Sequence, residues 1–280
     1  MNALDAALWL AARGFSVFPA DHPGLERCAG VGRNHDPGTC QDRGKHPAVA
    51  FTRTHSTDPE QLRRWFNSTP RNIGVAVGAC RGSDGARLLV VDSDRPAALE
   101  ETAASHGHRH TPTMRVTTAK GHHDYYWVPA SMRLGNGLGA LRGKFDGDVR
   151  AGNAYVIAAG SVHATGVLYE LDDPERPPAK APGWLLTALQ SPPEHSPVVA
   201  APCGSRAGGR LVGLIRFVLQ SQAGERNNRL YWAARRAFEQ QAGPDANVAS
   251  ALLEAATQAG LTEGEARQTI TSAYRSRAAR

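Results

Sequence analysis

Lysine is nearly missing from this chain. Lys45, Lys120, Lys144 and Lys180 are the only four in 280 residues, and arginine carries the rest of the positive charge. Long apolar runs are missing as well. No segment approaches the roughly 18 consecutive apolar residues of a membrane span, which excludes a transmembrane helix. The N-terminal stretch MNALDAALWLAARGFSVF places Asp5 early and reads as an amphipathic helix instead of a secretory signal, so the expected location is the cytoplasm. Cysteine is sparse, four residues with only Cys28 and Cys40 close together. That excludes a secreted disulfide framework, and in a reducing compartment a Cys cluster is better used for metal.

What remains is an ordinary globular composition, 41% apolar and 21% charged, over a length that suits one large domain and a small one. A formal net charge of +6 favours an anionic partner without identifying it.

Residues 3–13 have helical spacing, followed by Gly14 and a strand-like SVFP. Residues 21–47 are rich in Gly, Pro, Cys and His, lack periodicity and read as a structured loop or a disordered segment. Thr57-Asp58-Pro59-Glu60 opens a helix, with a Thr or Asp cap and Pro in the first turn. A turn at Pro70-Arg71-Asn72 precedes IGVAVG, and a turn at Ser83-Asp84-Gly85 precedes RLLVVDSD; both runs read as strands. A helix is expected at 96–105, then strands at 113–118, 123–128, 147–150, 154–159 and 167–171. This alternation predicts an α/β (α+β) domain with a mixed or antiparallel sheet. Residues 172–183 and 191–209 read as tether around a closing helix, WLLTAL. Beyond them 210–222, 226–241, 246–259 and 263–277 read as helices with short connections, hence antiparallel neighbours. The expected division is a domain at 1–195, a linker at 196–209 and a small all-α bundle at 210–280.

The run LLVVDSDRP, residues 88–96, ends an apolar strand in two carboxylates. Alternation aims Asp92 and Asp94 the same way, where they repel unless a cation joins them. A hard divalent ion such as Mg²⁺ or Mn²⁺ prefers such oxygen ligands. The competing reading is a cap, with Ser93 or Asp94 starting the helix at Pro96. Further on, GHHDYYW sets His123 at the head of an aromatic strand, and FDGDVRAG sets Asp148 before a strand with Arg150 beside it. Residues on successive strand ends can meet on one surface.

The order D-x-D, then G-x-H with x-Tyr-aromatic, then D-V-R-x-G-x-x-Y and S-V-H resembles the bifunctional primase–polymerase (prim-pol) family. That family belongs to the archaeo-eukaryotic primase superfamily and is common in plasmids and phages. ALWLAARGFSVFP, GKHP, T-D-P-E-x-L-x-x-W-F and N-I-G-V-A-V-G share the resemblance, which spans residues 3–171. It implies a primase–polymerase catalytic core in which Asp92, Asp94 and Asp148 are catalytic and hold Mg²⁺ or Mn²⁺. His123 then contacts the phosphates of the incoming nucleotide, and Arg150 and His163 touch the nucleotide. His122 is the neighbouring alternative, but the G-x-H spacing favours His123. Lys45 of GKHP faces either the triphosphate or its own loop. Lys120 departs from the Gly/Ser-rich approach of many relatives and serves phosphate or solvent.

The activity so implied is DNA primase/DNA polymerase: primers made on single-stranded DNA from NTP or dNTP by two-metal nucleotidyl transfer, in plasmid or phage replication. A helicase, as a domain of a longer chain or as a partner, is compatible with it. Two rivals stand beside it. His123, Asp148 and Tyr125 also suit a metal-dependent nuclease or nicking enzyme, and a non-catalytic module that binds single-stranded DNA at replication initiation is the other.

The loop 21–47 has too few apolar groups to order itself. Zn²⁺ on Cys28, His35, Cys40 and His46 would supply a tetrahedral S₂N₂ site, with His22 or Asp36 as alternatives for the fourth ligand. The spacing is not a standard finger, but zinc-bearing insertions near the N-terminus occur in prim-pol relatives. Cys80 and Cys203 look structural. In the tail, residues 205–280 hold eleven arginines against six acids, which suits template phosphates. Arg226, Asn227, Asn228 and Arg229 are the candidates for template or initiating nucleotide. The alternative is that Asn227 and Asn228 cap a helix whose Tyr231, Trp232 and Phe238 are core.

Overall fold

Two compact units, Met1–Ser196 and Pro197–Arg280, divide the chain. The computed structural model describes residues 2–28, 30, 36–191, 206–221, 226–238, 246–261 and 263–275.

In the first unit the expected caps form. Helix α1 (Ala3–Ala12) starts at Asn2, whose Oδ1 accepts from the Asp5 amide at 2.8 Å. Helix α2 (Pro59–Phe66) starts at Asp58, which accepts from the Glu60 amide at 3.1 Å and is followed by Pro in the first turn. Strands β1 (Val17–Ala20) and β2 (Asn72–Ala76) pair antiparallel. Asn72, read from sequence as part of a turn, is a buried strand residue.

Strand β3 (Arg87–Ser93), helix α3 (Ala98–Ser105), β4 (Met114–Thr117), β5 (His122–Val128) and β6 (Gly147–Arg150) follow. Strand β7 (Tyr155–Ile157) returns to β2 and completes a three-stranded sheet ordered β1-β2-β7. The larger sheet runs β6-β3-β5-β4-β8, where β8 is Glu170–Leu171. All these pairs are antiparallel, but β9 (Ala179–Lys180) adds to β5 in parallel, so the sheet is mixed as expected. Residues 179–180 fall in a segment read as tether. A two-residue strand between prolines has no periodicity to betray it. Helix α4 (Gly183–Gln190) is the closing helix.

The larger sheet is covered on both faces. Leu88, Val90, Met114, Val116 and Tyr125 pack with α1, α2 and the smaller sheet. Leu89, Val91, Tyr126, Val128 and Val149 pack against α3, α4 and the side chains of Leu141 and Phe145. Double coverage is why β3 and β5 read as continuous apolar runs instead of alternating ones. One charge is buried within this arrangement: Asp124 is 0% exposed and meets Arg115 of β4 through two hydrogen bonds of 2.8 and 3.0 Å. Arg115 also reaches Glu100 on α3 at 2.7 Å.

The second unit contains α5 (Arg206–Leu219), α6 (Arg226–Phe238), α7 (Ala246–Gln258) and α8 (Glu263–Arg275). Helix α5 begins four residues before the expected 210. The unit's core is largely Leu and Ala with Val218, Phe238, Val248 and Ile270. None of the described helices is long and apolar enough to cross a membrane.

Candidate active site

Register brings the acidic pair to its companions. Asp92 on β3 is the direct partner of His123 on β5 and of Asp148 on β6. Direct partners send their side chains to one face, so Asp148, Asp92 and His123 form a row across three strands. Val90 pairs with Arg150, which puts Arg150 on the same face one pleat away. The row borders a cleft of about 620 Å³ whose walls include Lys45, Asp92, Asp94, Lys120, Arg150 and His163. Asp148 stands beside that wall and is not part of the lining.

Two glycines allow the strand ends to close up. A Cβ at Gly121 would overlap the Ser93 carbonyl oxygen and lie 2.8 Å from the Arg95 amide nitrogen. A Cβ at Gly147 would overlap the Asp92 carbonyl oxygen and lie 3.0 Å from Ser93 Cα. The segment carrying both carboxylates is therefore held between two neighbours that only glycine lets so near.

The chain's own cations hold the carboxylates. Arg150 Nη2 lies 2.6 Å from Asp148 Oδ2 and 3.7 Å from Asp92 Oδ2. His123 Nε2 lies 3.1 Å from Asp92 Oδ1, and Lys120 Nζ lies 3.4 Å from Asp94 Oδ1. Burial would raise the Asp92 carboxyl, but His123, Arg150 and Lys45 together outweigh it and hold the group below its ordinary value. The Asp94 amide donates to the Asp146 carbonyl at 3.0 Å, and Arg95 ties Asp146 to Glu101. The capping alternative is not realised. The residue before α3 is Ala97, at φ 60° with no side-chain cap bond, so neither Ser93 nor Asp94 starts the helix.

The donor set fits the hard cation expected of the family: carboxylates at one end of one sheet, each already needing positive charge. The three are not drawn into a closed cluster, because among the described residues only Cys28, Cys40 and His46 form such a group. Arg150 bridges Asp92 and Asp148, so a cation would compete with it for the same oxygens.

Basic side chains, Lys45, Lys120 and His163, line the same cleft. Burial, then Lys45 and Lys120, push the His163 imidazole below its ordinary value and favour its neutral form. His123 meets the Asp92 carboxylate through Nε2, while Nδ1 is enclosed without a hydrogen-bond partner. It also lines the cleft beside Asp92. Two tyrosines in the wall had been given no role. Tyr155 ends the D-V-R-x-G-x-x-Y motif, and its hydroxyl donates to the Lys45 carbonyl at 3.1 Å. Tyr169 stands with its ring centroid 5.9 Å from His123 and 6.3 Å from His163. For Tyr155 the motif is the sequence signal; for Tyr169 it is only an aromatic within a short strand-like run.

The Cys/His loop forms part of the same wall. Ligand atoms of Cys28, Cys40 and His46 lie within 4.8 Å of one another, with Cys40 Sγ 3.0 Å from His46 Nε2. Burial and the adjacent Cys40 push the Cys28 thiol up to about 11, a shift that a bound cation would reverse. The set fits Zn²⁺ in donor type and spacing. His35 lies outside the described residues. His22 and Asp36 are not members of the cluster; His22 Nδ1 accepts from the Gly24 amide, and Asp36 Oδ1 from the Gly38 amide. Cys80 is buried, its Sγ accepting from the Ser16 amide at 3.4 Å, while Cys203 lies outside the described residues.

The proposed grip in the second unit is largely turned to packing. Arg226 Nη1 donates to the Gly260 carbonyl at 3.3 Å and Arg229 Nη1 to the Gln220 carbonyl at 2.7 Å. Asn227 Oδ1 accepts from Thr269 Oγ1 at 2.9 Å, which leaves Asn228 as the exposed member without a contact of this kind. The alternative also needs correction. Asn227 and Asn228 lie inside α6 and do not cap it, and of the three aromatics only Phe238 is fully core, since Tyr231 is half-buried and Trp232 exposed.

Residues 7–184 match the family of bifunctional DNA primase/polymerase N-terminal domains, and the chain belongs to that family. Membership supports a primase/polymerase-type function in replication, metal dependence, and DNA and nucleotides as partners. Among solved structures the chain is similar to the primase RepB′, at 14% identity over 98% of this chain and 94% of that one, with a TM-score of 0.33, too low to bear on the fold. No curated protein matches it.

Proposed function

We propose that this protein is a DNA primase–polymerase that makes primers on single-stranded DNA by two-metal nucleotidyl transfer, in the replication of a plasmid or phage. The observation that carries the reading is the Asp148–Asp92–His123 row, set by strand register beside a cleft that Lys45, Lys120 and His163 also line. On this reading Asp92, Asp94 and Asp148 hold Mg²⁺ or Mn²⁺, which would lower the pKa of the attacking hydroxyl and offset charge on the leaving pyrophosphate. The chain's own part is positioning and charge. Lys45 and Lys120 attract the triphosphate, and neutral His163 offers it a hydrogen bond. Arg150 and His123 keep Asp92 ionised and oriented, and Arg150 would contact the nucleotide. Zn²⁺ on Cys28, Cys40 and His46 would hold the wall that carries Lys45.

The test is incubation with single-stranded DNA, nucleotides and Mg²⁺ or Mn²⁺, comparing wild type with Asp92→Ala. New chains from wild type, lost in Asp92→Ala while DNA binding persists, are expected. Shortened template without product would make the protein a nuclease. DNA binding with no product and no cleavage would make it a binding module.

A further inference from the structure

Trp232 is the one aromatic among the large apolar side chains that stay exposed in the described residues, at 49%. Its helix already has a core face, made of Leu230, Ala233, Ala234 and Phe238, and Trp232 is not on it. The indole stands beside Phe217 of α5, with centroids 5.0 Å apart and rings tilted by 54°. Arg229 places its guanidinium 4.1 Å from the Phe217 centroid, and Arg236 stands 5.9 Å from that of Trp232. Phe217, Trp232 and Arg236, with Gly213 and Leu214, border an open hollow of about 360 Å³. A Cβ on Gly213 would meet nothing within 4 Å, so the glycine keeps one side of the hollow clear.

Charge selects the occupant. Helices α5 and α6 carry seven arginines and no acidic residue. An exposed indole flanked by guanidinium groups on such a surface suits a partner that is both anionic and flat-faced. An acidic peptide brings the charge without a ring face. Duplex DNA brings phosphates but keeps its base faces stacked inside. Single-stranded DNA brings a phosphate at every nucleotide and bases that can leave the stack. We infer that the α5–α6 face binds single-stranded DNA, one base stacking on Trp232 above the Gly213 notch while Arg236 and neighbouring arginines meet the phosphates. This deepens the template reading above and rests on it for the nature of the strand. It moves the contact from Arg226, Asn227 and Arg229, which are engaged within the unit, to the face that Trp232 exposes.

The test uses the full chain and fluorescein-labelled oligo(dT), read by anisotropy with neither nucleotide nor divalent metal present, so that synthesis does not enter. Trp232→Ala removes the ring, and Gly213→Leu fills the notch from a position with open space around it. Each variant should weaken binding about five-fold or more, with helicity by circular dichroism unchanged, and Trp232→Phe should restore most of it. Affinity within about two-fold of wild type in either variant overturns the proposal, because a base seated there must meet both changes. If a variant loses helicity, photocrosslinking of wild type to a 5-bromodeoxyuridine oligonucleotide decides. A crosslinked peptide containing Trp232 upholds the site, and crosslinks confined to other peptides overturn it. Primer extension by wild type is measured separately, so loss of this site leaves the catalytic reading standing.

Discussion

Gly121→Ala tests whether the D-x-D segment depends on close approach. The added Cβ would lie 2.8 Å from the Arg95 nitrogen, 2.9 Å from the Arg95 carbonyl carbon and closer still to the Ser93 oxygen. Carbon–oxygen contacts are comfortable at about 3.3–3.6 Å, so the segment from Ser93 to Arg95 must retreat by half an ångström to about one. It cannot retreat freely, because Gly147 sets β6 against the other side of the same residues. A displacement of about 1 Å in positioned groups costs on the order of 100-fold in rate, and about half that still costs several-fold to ten-fold. Overpacking of this kind costs about 1–3 kcal/mol, and each kcal/mol lowers Tm by about 2–4 °C in a unit of this size. Primer extension should therefore fall by about ten- to a hundred-fold while Tm drops by only a few degrees. Gly183→Ala is the control, since a Cβ there meets nothing within 4 Å. Extension by Gly121→Ala within about three-fold of wild type would refute the argument that this approach fixes Asp92 and Asp94.

Metal analysis should find about one zinc per chain, and Cys28→Ser with Cys40→Ser should remove it; stoichiometric zinc in that double variant would exclude the Cys/His cluster as its site. Arg115→Ala should leave Asp124 buried without its bidentate partner, a loss of about 3–5 kcal/mol or a fall in Tm on the order of 10 °C. Chemical denaturation showing a loss below about 1 kcal/mol would mean that His110, 3.4 Å from Asp124, compensates by itself. Arg150→Ala should weaken nucleotide incorporation while lowering the divalent-cation concentration needed, since the cation no longer competes with the guanidinium for Asp92 and Asp148; an unchanged cation titration would contradict that role.

Some of this was legible from sequence for a physical reason. Alternation aims Asp92 and Asp94 the same way, and helical periodicity marks all four described helices of the second unit. Other features depend on register, which the sequence does not print. Nothing in DVR says that Arg150 faces Asp92, yet the pairing of Val90 with Arg150 requires it. The Arg115–Asp124 pair is cross-strand too, and Asp124 in HHDYYWV reads as a polar strand start until both sheet faces are seen to be covered. Arg226, Asn227 and Arg229 of α6 show the opposite case. A polar cluster looks available in one dimension, but Gly260, Thr269 and Gln220 come to meet it only once the helices pack.

The basic wall of the cleft is assembled from two segments far apart in the chain, and one buried side chain joins them. Asn72 Nδ2 donates to the Gly44 carbonyl at 2.8 Å and to the Val162 carbonyl at 2.8 Å, while its Oδ1 accepts from the Val162 amide at 2.9 Å. Those partners immediately precede Lys45 and His163. The Lys45 segment is fixed again from behind, where the His46 amide donates to Asp21 Oδ1 at 2.8 Å and Tyr155 donates to the Lys45 carbonyl. A buried amide with both functions satisfied holds backbone more rigidly than an apolar contact of the same size, because leaving any of these groups unpaired would cost about 1–3 kcal/mol. The Cys/His cluster at His46 and the S-V-H motif at His163 thus act on the cleft through a shared residue. It follows that the cluster need not touch a nucleotide to matter to one: by fixing His46 it fixes the backbone of Lys45, and Asn72 relates that backbone to His163.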